Sequence, residues 1–158
     1  MESNGTDTVI RPLRPQDQDT ARRLILAGMA EHWGAIDATC NPDLKDIVAN
    51  YAGATFLLAW QGDALVGTGA LIHEAEVVAR VVRMSVARAM RRRGIGRLIL
   101  QHLLERARAA GYCQVVLETT STWAEAIAFY LQQGFRIVEV RDGETHMALD
   151  LETEIRPG

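Results

Sequence analysis

The stretch VVRMSVARAMRRRGIGRLILQHLLERARAA, residues 81 to 110, constrains the fold more than any other part of the chain. It opens as a buried strand, because Val81, Val82, Met84 and Val86 supply β-branched and apolar side chains in close succession. From Leu98 the apolar residues recur at helical spacing, through Ile99, Leu103, Leu104 and Ala107. Gly111 then stands where a left-handed C-terminal cap belongs. Between strand and helix lies Arg91-Arg92-Arg93-Gly94-Ile95-Gly96-Arg97. Two glycines two apart let another molecule approach the main chain with no Cβ in the way. The first N–H groups of a helix are unpaired and carry the positive end of its dipole. A basic glycine turn at that point predicts a phosphate site. For an isolated Gly-x-Gly the ordinary reading would be a plain turn with solvated arginines.

The turn lacks the Gly-Lys-Ser/Thr ending of a P-loop and the three glycines of a dinucleotide fold, so neither standard nucleotide motif fits. Arg-x-x-Gly-x-Gly after a strand ending Met-Ser-Val instead resembles the acetyl-CoA signature of the GNAT superfamily of N-acetyltransferases. A second match follows at Ala126-Ile127-Ala128-Phe129-Tyr130 and Gly134-Phe135, similar to that family's C-terminal Ala-x-x-Phe-Tyr…Gly-Phe element. The two motifs come in the family's order, and the sequence-specific part of the match is residues 81 to 135.

Length and composition agree with such an enzyme without identifying it. A chain of 158 residues, 48% hydrophobic and 23% charged, fits a single domain over residues 1–158 with a substantial core. The net charge is −3, so the basic turn stands out against an acidic background. Local positive charge suits one polyanionic ligand better than a nucleic-acid track. No apolar run is long enough to span a membrane, and the polar start MESNGTDT lacks a signal-peptide core. Cys40 and Cys113 are too few for a disulfide framework or a zinc site. His73, His102 and His146 have no metal-ligand spacing, so no metal is expected. The expected setting is the cytoplasm, with no nucleic-acid or membrane partner, for a monomer or homodimer.

Taken in order, residues 1–7 are expected to be disordered. Thr8 to Arg14 predicts a first strand, and Asp17 to about Glu31 a helix with Ala21, Leu24, Ile25 and Met29 on one face. Asn41-Pro42 predicts a second helix, with Asn as N-cap, running to Ala52-Gly53. Thr55–Trp60, Ala64–Ile72 and Val77–Val86 predict three strands, and Gln114–Thr119 a short buried one. Thr122 to Glu125 fits a capping box that opens a helix closed by Gly134. Asp142-Gly143 predicts a hairpin between Phe135–Arg141 and Glu144–Leu151. The fold class is α/β: a mixed, mostly antiparallel central sheet flanked by helices, as the resemblance to GNAT acyl-CoA N-acyltransferases also implies.

The resemblance assigns roles residue by residue. The pantetheine arm of acetyl-CoA would lie along the main chain of Met84, Ser85 and Val86. Its pyrophosphate would sit on Arg92, Arg93, Gly94, Ile95, Gly96 and Arg97, with Arg91 in the motif's leading position. Met84 and Val86 are equally suited to core packing, and the two roles are compatible. Tyr130 matches the tyrosine that protonates the departing sulfur, a role open to a phenol that is neutral at pH 7. Glu118, twelve residues earlier, matches the glutamate that some members use as proton acceptor. Two readings stand for it: the base, or a strand-end carboxylate that orders water or binds an arginine. Trp123 departs from the pattern, since many relatives carry a pantetheine-binding Asn seven residues before the tyrosine. Either that hydrogen bond is lost, or the Trp123 ring packs against cofactor or acceptor instead. Glu31, His32 and Trp33 end the first helix and are expected to shape the acceptor pocket, an aromatic wall and a carboxylate being suited to an amine. The alternative for Trp33 is a plug in the core.

The implied activity is acetyl-CoA-dependent N-acetylation of a small-molecule or peptide amine. A different class, an acyl-CoA-binding sensor without turnover, would keep the cofactor residues and dispense with the acid and base. Nucleic-acid binding through Arg88, Arg91, Arg92, Arg93 and Arg97 would instead show steep salt dependence.

Overall fold

The structure, a computed structural model, describes residues 7–34 and 41–151. Residues 1–6 of the expected disordered start, and Cys40 in the connection after the first helix, lie outside the described residues. The elements follow the expected order: β1 (Thr8–Pro12), α1 (Gln18–Trp33), α2 (Ile47–Asn50), β2 (Thr55–Gln61), β3 (Ala64–Ala75), β4 (Val78–Val86), α3 (Ile95–Ala109), β5 (Gln114–Thr120), α4 (Ala124–Gln132), β6 (Arg136–Arg141) and β7 (Glu144–Asp150). Among the described residues the strands form one seven-stranded sheet in the order β1-β2-β3-β4-β5-β7-β6, mostly antiparallel. By its contacts the chain divides into two compact units, Met1–Ala70 with Arg83–Leu103, and Leu71–Val82 with Leu104–Gly158.

In the first unit β1 runs antiparallel to β2, from Thr8↔Gln61 to Pro12↔Leu57. Every residue from Phe56 to Trp60 is buried, which is why β2 reads as an unbroken apolar run rather than an alternating one. Helix α1 buries Ala21, Ile25 and Gly28, spaced four and three apart along one face. Just ahead of it Asp17 is only 4% exposed, and its charge is matched by Arg14, whose guanidinium donates to both carboxylate oxygens at 2.9 Å. Helix α3 rests on β3 where that strand carries Gly67 and Gly69. A Cβ on either would stand 2.6–2.7 Å from Ile99, so the helix can lie this close only because both side chains are missing.

The segment after Asn41 differs from expectation. Pro42–Leu44 forms one 3₁₀ turn, and α2 is a separate helix of four residues. Asn41 makes no side-chain cap; its Oδ1 accepts from Arg83 Nη2 at 3.2 Å. The cap of α2 is Asp46, whose carboxylate accepts from Ala49 N at 3.1 Å. A tertiary partner has taken the group that local pattern assigned to capping.

In the second unit β4 pairs in parallel with β5 from Val78↔Gln114 to Arg80↔Val116, and the ladder stops there although β5 continues to Thr120. β5 pairs antiparallel with β7 along its whole length, and β7 with the exposed edge strand β6. The β6–β7 turn has positive φ at both Asp142 (54°) and Gly143 (78°), the two-residue hairpin turn expected of Asp-Gly. Helix α4 starts with Trp123, not Thr122, in the N-cap position; an indole has no acceptor, so its side chain does not cap the helix. The helix ends at Gln132, and left-handed Gly134 (φ 102°) closes it, after which Phe135 N donates back to Tyr130 O at 3.0 Å.

Candidate active site

In the first unit the end of β4 leads straight into the basic turn. Ala87 N donates to Val66 O at 2.9 Å, a 3₁₀ turn follows over Arg88–Met90, and α3 begins at Ile95, earlier than the apolar periodicity alone indicates. Both Arg92 (φ 64°) and Gly94 (φ 81°) are left-handed, so the main chain doubles back twice within three residues. The first bond of the α3 ladder is Leu98 N to Gly94 O at 3.0 Å, which leaves Ile95, Gly96 and Arg97 in the helix's first turn. Arg92, Arg93, Gly94 and Arg97 are exposed. A Cβ built on Gly94 would meet no atom within 4 Å. An open glycine, exposed guanidinium groups and a fifteen-residue helix behind them fit a pyrophosphate.

Arg91 faces inward from this turn. Its Nε donates to Val86 O at 3.2 Å, and its Nη1 lies 2.6 Å from Glu31 Oε1 on α1. Glu31 and Val86, one expected at the acceptor and the other at the cofactor, therefore line the same space. It is a cleft of about 410 Å³ between α1 and the ends of β3 and β4, with Arg23 and Arg88 also in its wall and Leu24, Leu65 and Ala87 supplying apolar surface. Met84 and Ser85 leave β4 in different directions. A Cβ on Gly69 of β3 would meet Met84 Sδ, whereas one on Gly28 of α1 would meet Ser85 Oγ at 2.9 Å. His32 and Trp33 pack edge to face with centroids 4.9 Å apart, and Trp33 is 46% exposed, so it does not plug the core.

One cluster was not foreseen. Arg83, within β4, has a left-handed backbone (φ 56°). Its guanidinium clamps both oxygens of Asp43, at 2.9 Å and 2.6 Å, and also reaches Asn41. Tyr51 donates its hydroxyl to the same carboxylate at 2.6 Å. Burial pushes the Asp43 carboxyl up, but the hydrogen bonds from Arg83 and Tyr51 outweigh it and hold the group below its ordinary value. The Tyr51 phenol is pushed up to about 12, by burial first and then by its bond to Asp43. In sequence, the sole signal was a charged residue amid an apolar strand.

In the second unit Tyr130 is buried, its ring edge-on to Phe129 at 5.0 Å and to Phe135 at 5.6 Å. Burial alone pushes its phenol well above the ordinary range, so it stays protonated at neutral pH. Glu118 of β5 is ion-paired with Arg80 of β4, which also donates to Glu74 at 2.8 Å. Across the β5–β7 ladder Glu118 stands opposite His146. Of the two roles open to Glu118, arginine binding is thus made in the structure. Trp123 sits between β5 and α4, its backbone N–H donating to Thr120 O at 2.9 Å. Among the described residues no group of three or more His, Cys, Asp or Glu could hold a metal ion, and no helix is long and apolar enough to cross a membrane.

A seven-stranded, mostly antiparallel sheet flanked by helices is the fold of the solved GNAT acetyltransferases. Residues 22–135 match the profile of the acetyltransferase (GNAT) family, and the chain belongs to that family. Among curated proteins it is 33% identical to N-acetyltransferase 8F1 of Rattus norvegicus over 119 residues, which are 70% of this chain and 53% of that protein. The chain thus spans little more than half of that relative's length. The fold is similar to that of a GNAT-family acetyltransferase from Staphylococcus aureus Mu50, with TM-score 0.85, 22% identity, and coverage of 92% of this chain and 100% of that one. It is similar also to that of the PaiA N-acetyltransferase of Thermoplasma acidophilum, solved in complex with coenzyme A (TM-score 0.79, 14% identity, covering 92% and 99%). At these identities the likeness is one of fold. Acetyl-CoA is the acyl donor of the family.

Proposed function

We propose that this chain acetylates a primary amine, on a small molecule or a protein, by direct attack of that amine on the thioester of acetyl-CoA. The observation that carries the reading is the exposed basic turn placed between β4 and the first turn of α3 in a chain of net charge −3. Arg92, Arg93 and Arg97, with the main chain of Gly94, Ile95 and Gly96, would hold the pyrophosphate. The main chain of Met84, Ser85 and Val86 would hold the pantetheine arm, and the Trp123 ring would pack against it. Acetyl-CoA, when bound, supplies a carbonyl carbon open to an amine and a sulfur that leaves as thiolate.

The protein's part is to manage protons and position. Tyr130, kept neutral by burial, donates its proton to the departing sulfur and recovers one from solvent. Glu118 takes the proton that the amine loses on forming its bond to carbon, and Arg80 steadies the carboxylate before and after. Glu31, His32 and Trp33 at the end of α1 give the acceptor an acidic and aromatic wall. We assign the work to a single domain over residues 1–158, as monomer or homodimer, in the cytoplasm.

The Arg80–Glu118 pair also favours a second reading, an acyl-CoA-binding module without turnover, because an arginine already occupies the base. One experiment separates the two. Wild-type protein with acetyl-CoA is screened against a panel of small amines, amino acids and peptides, with release of free thiol as readout. Amine-dependent thiol release is expected. Saturable binding of acetyl-CoA with no release for any amine would support the module instead.

A further inference from the structure

Among the described residues three non-glycine residues have positive φ: Arg83, Arg92 and Asp142. The last two are in turns, where such a backbone is common. Arg83 is inside β4, where a left-handed L-residue is strained and persists only if its surroundings impose it. Those surroundings are on both sides. The fully buried Thr68 of β3 donates its hydroxyl to Arg83 O at 2.7 Å. Opposite, Asp43 grips the guanidinium with both oxygens, and Tyr51 and Asn41 hold that grip in place. The next three residues are Met84, Ser85 and Val86.

We infer that Asp43 is a positioning residue: by clamping Arg83 it holds the left-handed turn in β4 and thereby aims the main chain of Met84–Val86 at the pantetheine arm. The inference rests on the acetyltransferase reading of that strand. It assigns the ion pair a purpose beyond stability, and it makes the backbone, not the guanidinium, the part that matters to the cofactor.

Glycine tests this directly, because it adopts φ near 56° without strain whereas alanine does not. Arg83→Ala and Arg83→Gly delete the same side chain and the same ion pair. Coenzyme A is titrated calorimetrically into wild type and both variants, with thermal melting to establish that each is folded. Arg83→Gly is expected to bind within about twofold of wild type. Arg83→Ala is expected to bind roughly tenfold more weakly, because the competent backbone is then a minor state. Asp43→Asn should weaken binding in the wild-type background and add nothing in the Arg83→Gly background, since Asp43 reaches the cofactor strand through Arg83 and its bond to Tyr51 lies off that strand. Equal loss in the alanine and glycine variants, or no loss in either, overturns the inference while leaving the enzyme reading intact. A wild-type protein that fails to bind coenzyme A removes both. If Arg83→Ala does not fold, the Asp43→Asn pair decides by itself.

Discussion

The carboxylate of Glu31 stands 2.6 Å from the guanidinium of Arg91, joining the end of α1 to the turn that leads into α3. On the proposed reading the pair makes Glu31 a neighbour of the pyrophosphate as well as of the acceptor. Removing its charge would then leave Arg91 uncompensated where the pyrophosphate is proposed to bind. Both side chains are about a third exposed, so the effect is screened and modest. Glu31→Gln is expected to bind acetyl-CoA roughly two- to fivefold more tightly at low salt, an advantage that fades as salt is added. Affinity unchanged at every salt concentration would mean that Arg91 does not act on the phosphates.

Tyr130→Phe deletes one hydroxyl and keeps a ring packed on Phe129 and Phe135. Turnover is expected to fall by roughly 10²–10⁴ with acetyl-CoA affinity nearly unchanged. Because burial holds the phenol above its ordinary range, Tyr130 itself should cause no loss of rate on the alkaline side until beyond ~10. Single-turnover rates of thiol release across pH check both points. An unaltered rate in the variant would assign the thiolate's proton to water.

The Asp43–Tyr51–Arg83 cluster links stability to pH at both ends. An unfolded phenol titrates near ~10, whereas folded Tyr51 holds its proton to about 12. The folded state therefore binds more protons in that window, and the stabilisation is complete below ~10 and lost as pH rises towards 12. Asp43 has the opposite sign: its folded value is depressed, so its contribution is present above the unfolded carboxyl value of ~3.9 and lost as pH falls through the folded one. Urea unfolding across pH should show both limbs. Tyr51→Phe should be less stable at neutral pH and should decline less steeply on the alkaline side; an identical alkaline decline would exclude Tyr51 as its source.

These predictions separate what the sequence carried from what it hid. The Asp142-Gly143 turn, the Gly134 end of α4 and the order of elements follow from signals within a few residues, and each is found in the structure. The basic glycine turn between strand and helix was legible for the same reason, being one continuous stretch. What escaped are pairings over long separations. Asn41 read as a cap because its partner Arg83, 42 residues on, could not be foreseen. Glu118 stayed open between base and arginine-binding carboxylate because Arg80, 38 residues earlier, is a neighbour only across the sheet. No propensity scale marks an arginine inside a strand as left-handed, since tertiary clamps impose that conformation.

The central claim is that the turn of Arg91–Arg97 at the head of α3 binds the pyrophosphate of acetyl-CoA. Calorimetric titration of acetyl-CoA into wild type and Gly96→Val tests it most directly. The substitution puts a branched side chain in the first turn of α3, where the phosphates must approach, and valine has a better helix propensity than glycine, so folding should not suffer. Wild type is expected to bind saturably, and the variant to melt at a similar temperature and bind at least tenfold more weakly, on the order of one lost phosphate contact. A folded Gly96→Val that binds acetyl-CoA as tightly as wild type, or a wild type that does not bind it at all, would contradict the account.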